Sequence, residues 1–535
     1  MLLYALIAIS FLFTLQSELI SQYWIRDVII DRRDVFDSTK GNWFFAANLA
    51  NSLHYTTRQY IIEDELLFAP GDSISIANLS ETARNLRATG LFTDVRIFLD
   101  SVGYDIYDVT VFTQDRWSTY PSLLLGIGGG ETNYGIKPLE FNFLGTGTQI
   151  EAEALNRSEN DIGWQGGASV YQRRLLRSDY TFSGSLLANR YRTEQSISLY
   201  QPYRTLSSNY SYGIIGSNVF GSDFFYRNNS KDSLIGTHER ILTTWFSKAW
   251  KPLDRIFITG LIEIEDIQRG QEEFTRAFDN SGKILIGFSS VAQDFIPTNK
   301  LNTYQTEDLC VGGYGMAILG KTFPIGTKGE SIYYVGGQGE QSYYDDKLYI
   351  FGQLTGSSGF ERSRGHYTYQ EFLGLGFYRF TKEFLLAARI RQQTVWNWNT
   401  VRQLILDNDA GLRGYQVNRL VGDNRIIANL EFRIFPDYRF WIFNMSGAVF
   451  WDVGAVWNQD NKLYQTRFHN SAGLGIRFHD QTATGSMNVY RFDFAFNFDE
   501  MGFTGIIFST DQLFSVFKKH DYKLPEIFGL EYDYE

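Results

Sequence analysis

From about residue 117 onward, apolar and polar residues alternate in segments of about ten, each closed by Gly, Asn, Asp or Ser. Ile150, Ala152 and Ala154 alternate with Gln149, Glu151 and Glu153. Ile256, Ile258, Ile262 and Ile264 oppose Thr259, Glu263 and Glu265. Ile426, Ala428, Leu430, Phe432 and Ile434 oppose Arg425, Asn429, Glu431 and Arg433. Phe492, Phe494, Phe496 and Phe498 oppose Arg491, Asp493 and Asn497. A period of two is that of a strand with one apolar and one polar face. The pattern predicts about twenty such strands between residues 117 and 514. Two architectures use them. In packed sheets the apolar faces look inward and the charges are solvated outside. In a transmembrane barrel the apolar faces meet lipid and the charges line a lumen. The number of charged faces favours the barrel, and alternation by itself leaves both open.

Residues 23–116 change period. Tyr23–Phe36 reads as a strand rich in Ile and Val, and residues 37–57 give no assignment. Thr56 and Gln59 have capping-box spacing and predict a helix through Phe68, with Ile62 and Leu66 on one face and Pro70-Gly71-Asp72 as its stop. Asn78 and Glu81 predict a second cap. Leu79, Ala83 and Leu86 follow at i, i+4 and i+7, and Gly90 closes that helix. Phe92–Leu99 and Tyr104–Thr113 read as strands joined by a turn at Asp100-Ser101-Val102-Gly103. Strand, helix, helix, strand, strand makes a small α+β domain.

Leu2 to Leu15 is an apolar run of signal-peptide length, which predicts a leader over residues 1–21 cleaved near Ser17 or Ser21. Its first residues carry no Lys or Arg, so an uncleaved anchor is the alternative. No other apolar run is long enough to span a bilayer as a helix, so a membrane protein here crosses with strands.

Composition narrows the choice. Of 535 residues, 16% are aromatic (33 Tyr, 44 Phe, 11 Trp) and 49 are Gly, with a mean hydropathy of −0.23. Tyr and Trp gather where one end of a ring is apolar and the other wet, as at membrane interfaces. A net charge of −11 argues against a nucleic-acid partner. The single Cys310 excludes a disulfide framework and a cysteine-built metal site. No H-E-x-x-H, G-x-S-x-G or P-loop is present. The pairs His479-Asp480 and His238-Glu239 are strand neighbours that point to opposite faces. The sequence therefore offers no catalytic residue, cofactor site or metal site.

Two runs stand out. Gly411-Leu412-Arg413-Gly414-Tyr415 lies in a long loop with five candidate strands after it. Phe450-Trp451-Asp452-Val453-Gly454 lies in one of those strands, with Phe450 and Asp452 on one face. Flanking glycines let an arginine approach a wall closely, and an inward aspartate could take its guanidinium as a bidentate pair. Each run alone is also compatible with a surface loop and an unrelated strand aspartate. Glu431 and Arg433 share the face of the candidate network. Water in a lumen would screen such a pair, so loop docking is expected to be marginal.

In this order the two runs resemble the VRGF/Y loop motif and F-x-D-x-G strand motif of the BamA/TamA superfamily (bacterial surface antigen family). Its members are outer-membrane barrels that insert or translocate other proteins. Glu81 to Val95, ending Gly90-Leu91-Phe92-Thr93-Asp94-Val95, resembles the helix-to-strand passage of a POTRA domain. Leu123 to Gly130 and Asn142-Phe143-Leu144-Gly145-Thr146-Gly147 resemble the first strands of such barrels with their N-x-x-G-x-G turn. Glycines in that first strand suit a seam that opens or simply a bend.

The resemblance implies a mainly β chain: a leader (1–21), one periplasmic POTRA-like α+β domain (22–116), an antiparallel transmembrane barrel (117–514) and a polar tail (515–535) without an assigned role. It implies sixteen strands, which would turn part of residues 301–380 into extracellular hairpins. The loop of Arg413 would then be extracellular and fold inward to Asp452. The implied location is the outer membrane. The implied activity is insertion of proteins by β-augmentation and seam opening, without covalent chemistry. Implied partners are outer-membrane lipid, unfolded outer-membrane or secreted clients, and a periplasmic chaperone or accessory lipoprotein. The alternative is a two-partner-secretion-type translocation pore. A passive porin and an anchor for a separate enzyme are further alternatives. Assembly factors of this kind usually carry several POTRA domains, and only one fits here.

Overall fold

The computed structural model describes residues 23–35, 54–128, 131–227, 230–251, 254–271, 279–304, 307–325, 331–362, 364–398, 404–416, 420–440, 443–480, 489–509, 512–514 and 522–529. The expected leader, residues 37–53 of the unassigned connection, and residues 515–521 and 530–535 of the tail lie outside this set. The chain groups into two compact units: Met1–Trp117 with Asn142–Gly147, and Ser118–Phe141 with Thr148–Glu535.

The first unit contains β1 (Tyr23–Arg33), α1 (Gln59–Glu63), β2 (Ser73–Ile74), α2 (Ile76–Ala88), β3 (Phe92–Gly103) and β4 (Ile106–Asp115). The sheet order is β2-β1-β4-β3, with β1 parallel to β4 and the other pairs antiparallel. Ile25, Ile62, Phe68, Leu79, Leu86, Phe92, Val109 and Val111 form its core.

Three details differ from the sequence reading. The first helix ends at Glu63 rather than Phe68, and its N-cap is Arg58 without a side-chain cap. The core takes both Ile62 and Phe68. A straight helix would set these about 120° apart, so the chain leaves the helix to bury both. The second helix is capped by Ser75, whose hydroxyl accepts from the Asn78 amide; Asn78 sits inside the first turn. β3 continues through the stretch read as a turn and reverses at Tyr104-Asp105, where Asp105 takes a φ of 54°, a conformation aspartate tolerates.

The Asn142–Gly147 turn belongs to this unit. Asn142 Oδ1 accepts from the Gly147 amide (2.8 Å), and its Nδ2 donates to Thr57 Oγ1 (2.8 Å). Gly145 has a φ of +73°, and a Cβ there would lie 2.6 Å from the Thr56 carbonyl oxygen, so only glycine fits. Thr57 in turn donates from its amide (2.6 Å) and hydroxyl (2.9 Å) to Asp115 Oδ2. Burial pushes the Asp115 carboxyl up to about 7.

The second unit begins with β5 (Thr119–Gly128), β6 (Glu131–Glu140), β7 (Thr148–Arg157), β8 (Gly163–Gln172), β9 (Thr181–Ala188) and β10 (Arg192–Gln201). Longer strands follow: β11 (Tyr210–Arg227), β12 (Ser230–Trp250), β13 (Arg255–Arg269), β14 (Ser281–Thr298) and β15 (Glu307–Pro324). Then come β16 (Tyr333–Tyr344), β17 (Leu348–Glu361), β18 (Arg364–Arg379) and β19 (Phe384–Trp396). A hairpin of β20 (Leu404–Leu406) and β21 (Leu420–Gly422) interrupts the series. It resumes with β22 (Asn424–Ile434), the two-residue β23 (Arg439–Phe440), β24 (Phe443–Trp457), β25 (His469–Asp480), β26 (Val489–Asn497) and β27 (Gly502–Ser509).

Neighbours in sequence are neighbours in space, and β27 closes against β5. Without β23, which only extends the edge of β24, the closed sheet has twenty strands among the described residues. This corrects the implied sixteen. Within residues 301–380, assigned in part to hairpins, Glu307–Pro324, Tyr333–Tyr344, Leu348–Glu361 and Arg364–Arg379 are the wall strands β15 to β18. Local alternation in that region was the sounder guide.

Alternation decides which face looks where. Ile256, Ile258, Ile262, Ile264, Leu430, Phe432, Phe494 and Phe496 are exposed on the outside. Thr259, Glu265, Asn429, Glu431, Arg433, Asp493 and Asn497 are buried inside. An apolar exterior of this extent is far larger than a soluble monomer carries and is that of a transmembrane barrel.

Candidate functional site

The loop between β19 and β22 forms the site. Its hairpin, β20 with β21, carries residues 407–416 into the barrel. Asp407 reverses the chain there: its Oδ1 accepts from the Asp409 (3.1 Å) and Ala410 (3.0 Å) amides, and its carbonyl accepts from the Leu412 amide (2.8 Å). Leu412 is buried with Leu406 and Ile427. Gly414 has a φ of +82°, and a Cβ there would meet Thr504 Oγ1 at 2.5 Å and the Ala495 Cβ at 3.0 Å. Only glycine brings the loop this close to β26 and β27. The Tyr415 hydroxyl lies 2.9 Å from Asp499 Oδ2 and accepts from the Asn470 amide at 3.0 Å, which fixes the loop at its far side.

These anchors deliver Arg413. Its Nε donates to Asp452 Oδ2 (2.7 Å) and its Nη2 to Asp452 Oδ1 (2.8 Å), a bidentate pair. Nη1 donates to Glu431 Oε1 (2.6 Å) and Asp493 Oδ2 (3.0 Å). The guanidinium carbon lies 3.5 Å from the centre of the Phe450 ring. Strand register explains the convergence. Asn429 is opposite Asp452, and Glu431 is opposite Phe450. Phe450 is opposite Gly473, and Asp493 is opposite Gly475. A Cβ at Gly473 would lie 2.4 Å from the Phe450 ring, and one at Gly475 would lie 2.3 Å from Asp493 Oδ1. The two glycines make room for the ring and the carboxylate.

A second layer orients these groups. Arg433 Nε donates to Glu431 Oε2 (2.7 Å), and Arg477 Nη1 donates to Asp493 Oδ1 (2.7 Å). Asn429 Nδ2 donates to Asp452 Oδ1 (2.7 Å) and to the Gly411 carbonyl (2.8 Å). Arg389 donates to Asn429 Oδ1 (2.8 Å) and the Ala410 carbonyl (3.0 Å). Gly454 admits Leu406, whose methyls would stand 3.0 Å from a Cβ there.

The structure thus brings Arg413, Phe450, Asp452, Glu431 and Arg433 into one network, with Leu412, Gly414, Tyr415 and Gly454 seating the loop that delivers it. The side chains of Arg413, Asp452, Glu431 and Asp493 are at most 1% exposed. The expectation of a water-screened, marginal pair is therefore corrected. A guanidinium so desolvated is held because three carboxylates surround it, and removing it would take a buried counter-charge from all three. Sequence reading missed Asp493, Arg477, Asn429 and Arg389. Asp493 stood on a recognised polar face, but it is 80 residues from Arg413 and no spacing connects them.

Fold and site together define a class: a transmembrane barrel with an inward loop clamped to its wall by one arginine, in a chain that also carries a small α+β unit. No family model matches the chain, and no curated protein sequence matches it. Solved structures similar to it include BamA from Haemophilus ducreyi lacking POTRA domains 1–3. That match has 13% identity over 91% of this chain and 83% of that one, with a TM-score of 0.39. CdiB from Acinetobacter baumannii is similar at 11% identity over 91% and 73% of the chains, with a TM-score of 0.41. CdiB from Escherichia coli is similar at 10% identity over 91% and 75%, with a TM-score of 0.43.

Proposed function

We propose that this chain is an outer-membrane protein of the BamA/TamA superfamily that inserts other proteins into that membrane, with its α+β unit in the periplasm. The observation that carries the reading is the Arg413–Asp452 pair inside the barrel, because it unites the loop and strand motifs in one contact. Arg413 ties β22, β24 and β26 together through Glu431, Asp452 and Asp493. That stiffens the wall beside the β27–β5 closure, the seam at which a client strand would enter. In the first unit, β3 pairs with β4 on one side and has no strand partner on the other among the described residues. Such an edge can accept an extended client by β-augmentation. No covalent step is required.

The test is client insertion into reconstituted membranes. Arg413→Ala should slow insertion sharply while the barrel still shows heat-modifiable migration. A folded Arg413→Ala barrel that inserts clients at the normal rate would overturn the role given to the loop. The secretion-pore reading draws support from the strand number, since twenty strands enclose a wide lumen. Export of one secreted partner without a general insertion defect on depletion would favour it.

A further inference from the structure

Barrels of about 16–18 strands leave an aqueous channel, and those of about 22 are plugged. A barrel of twenty strands would therefore leak unless something filled it. The Arg413 loop covers the wall of β22 to β26. Residues 512–514 and 522–529 cover a further part.

Leu513 and Phe514 pack among Leu301, Phe351, Phe377 and Leu385. The Phe514 carbonyl accepts from Arg433 Nη2 at 3.1 Å, and its ring lies 5.0 Å from the Arg433 guanidinium. Residues 522–529 lie against the inner faces of β13 to β16 and of β18. The Tyr522 hydroxyl is 3.0 Å from Thr259 Oγ1, and its ring meets Phe257 at 5.1 Å. Lys523 pairs with Glu340 and sits 5.1 Å over the Tyr314 ring. Pro525 packs on Gly287, where a Cβ would lie 3.1 Å from the proline Cβ. The Phe528 amide donates to the Tyr334 hydroxyl at 2.8 Å, and Ile527 and Phe528 are each only 6% exposed.

We propose that residues 512–514 and 522–529 are a plug that seals the lumen against ions and small solutes in the resting protein. Two features support this beyond simple contact. Part of the wall the segment covers is aromatic and apolar: Phe257, Leu261, Tyr314, Tyr334 and Tyr369 form one buried cluster with Ile527 and Phe528. Such a surface is stable when covered and is a poor lining for a water-filled pore. The segment also stands outside the strand ladder, with no strand pairing among its described residues. It can leave without breaking the barrel.

The proposal concerns sealing and stands apart from insertion activity. Planar-bilayer conductance reads it directly. A chain ending before Tyr522, and the full chain with Lys523→Glu, should conduct at least about tenfold above the unmodified protein, as an unfilled barrel of this width would. Gly287→Cys with Pro525→Cys in a Cys310→Ala background places two Cβ atoms close to the separation of about 3.5–4.5 Å that a disulfide spans. The oxidised form should stay closed under voltage that opens the reduced form. Heat-modifiable migration confirms that each variant is folded. Wild-type conductance in the folded truncation, or in Lys523→Glu should the truncation not fold, would overturn the plug. So would steady conduction through the oxidised cross-linked barrel.

Discussion

Arg413 is held by geometry that only a planar guanidinium satisfies, because two of its nitrogens meet Asp452 and a third meets both Glu431 and Asp493. Arg413→Lys keeps the charge and loses the fork, so it should restore little insertion activity over Arg413→Ala. Near-full rescue by lysine in the same assay would mean that charge alone is needed. Asp115 gives a second test at this scale. Its carboxyl is raised by burial to about 7, so the folded domain binds the proton more tightly than the unfolded chain does. The stabilisation is fully present below about pH 4 and is lost as pH rises through 7, by about 2–4 kcal/mol. Asp34 pushes the Asp115 carboxyl further up and Arg32 pulls it down, and His54 Nε2 lies 3.9 Å from the carboxylate. Asp115→Asn should raise domain stability at pH 7.5 and flatten the slope of denaturant midpoint against pH between 5 and 7.5, a range chosen to span the shift. A slope unchanged by Asp115→Asn would assign the pH response elsewhere. The Arg413–Asp452 contact was legible from two short motifs. Glu431 and Arg433 were legible as sharing its face. The partners on β25 and β26 were not, because strand register across a closed sheet is set by the whole series of turns.

At the scale of elements, helix α2 carries its apolar stripe where its periodicity places it. Leu79 and Leu86 are buried and Ala83 is partly so. Leu86 is fully buried, so Leu86→Ala should destabilise the isolated α+β domain by about 2–5 kcal/mol in urea unfolding. No shift of the midpoint would contradict the packing of α2 on the sheet. The strands were readable because a barrel wall shows one face to lipid and the other to the lumen, which writes a period of two into each segment. The end of helix α1 was not, because its five residues are too few to establish a period and burial of Phe68 draws the chain out of the helix before the predicted stop. The stretch 100–103 has turn composition but continues β3, and the reversal comes at Tyr104-Asp105, where Asp105 takes the left-handed conformation.

At the scale of the molecule, the strand total could not be read from a family resemblance. The count of alternating segments, about twenty, matched the closed sheet better than the sixteen the resemblance implied. A wider barrel needs more filling. The Arg413 loop and residues 512–514 and 522–529 lie inside it, and the composition of the tail had given no hint of this. The loop is the central element, and its clamp is best tested by a double-mutant cycle on client insertion rate with Arg413→Ala, Asp452→Ala and both together. Arg413 keeps Glu431 and Asp493 when Asp452 is removed, so Asp452→Ala should be the milder single change. The double variant should be no slower than Arg413→Ala, with a coupling of about 0.5–3 kcal/mol. If the two losses simply add, the residues act independently and the loop is not clamped through this pair.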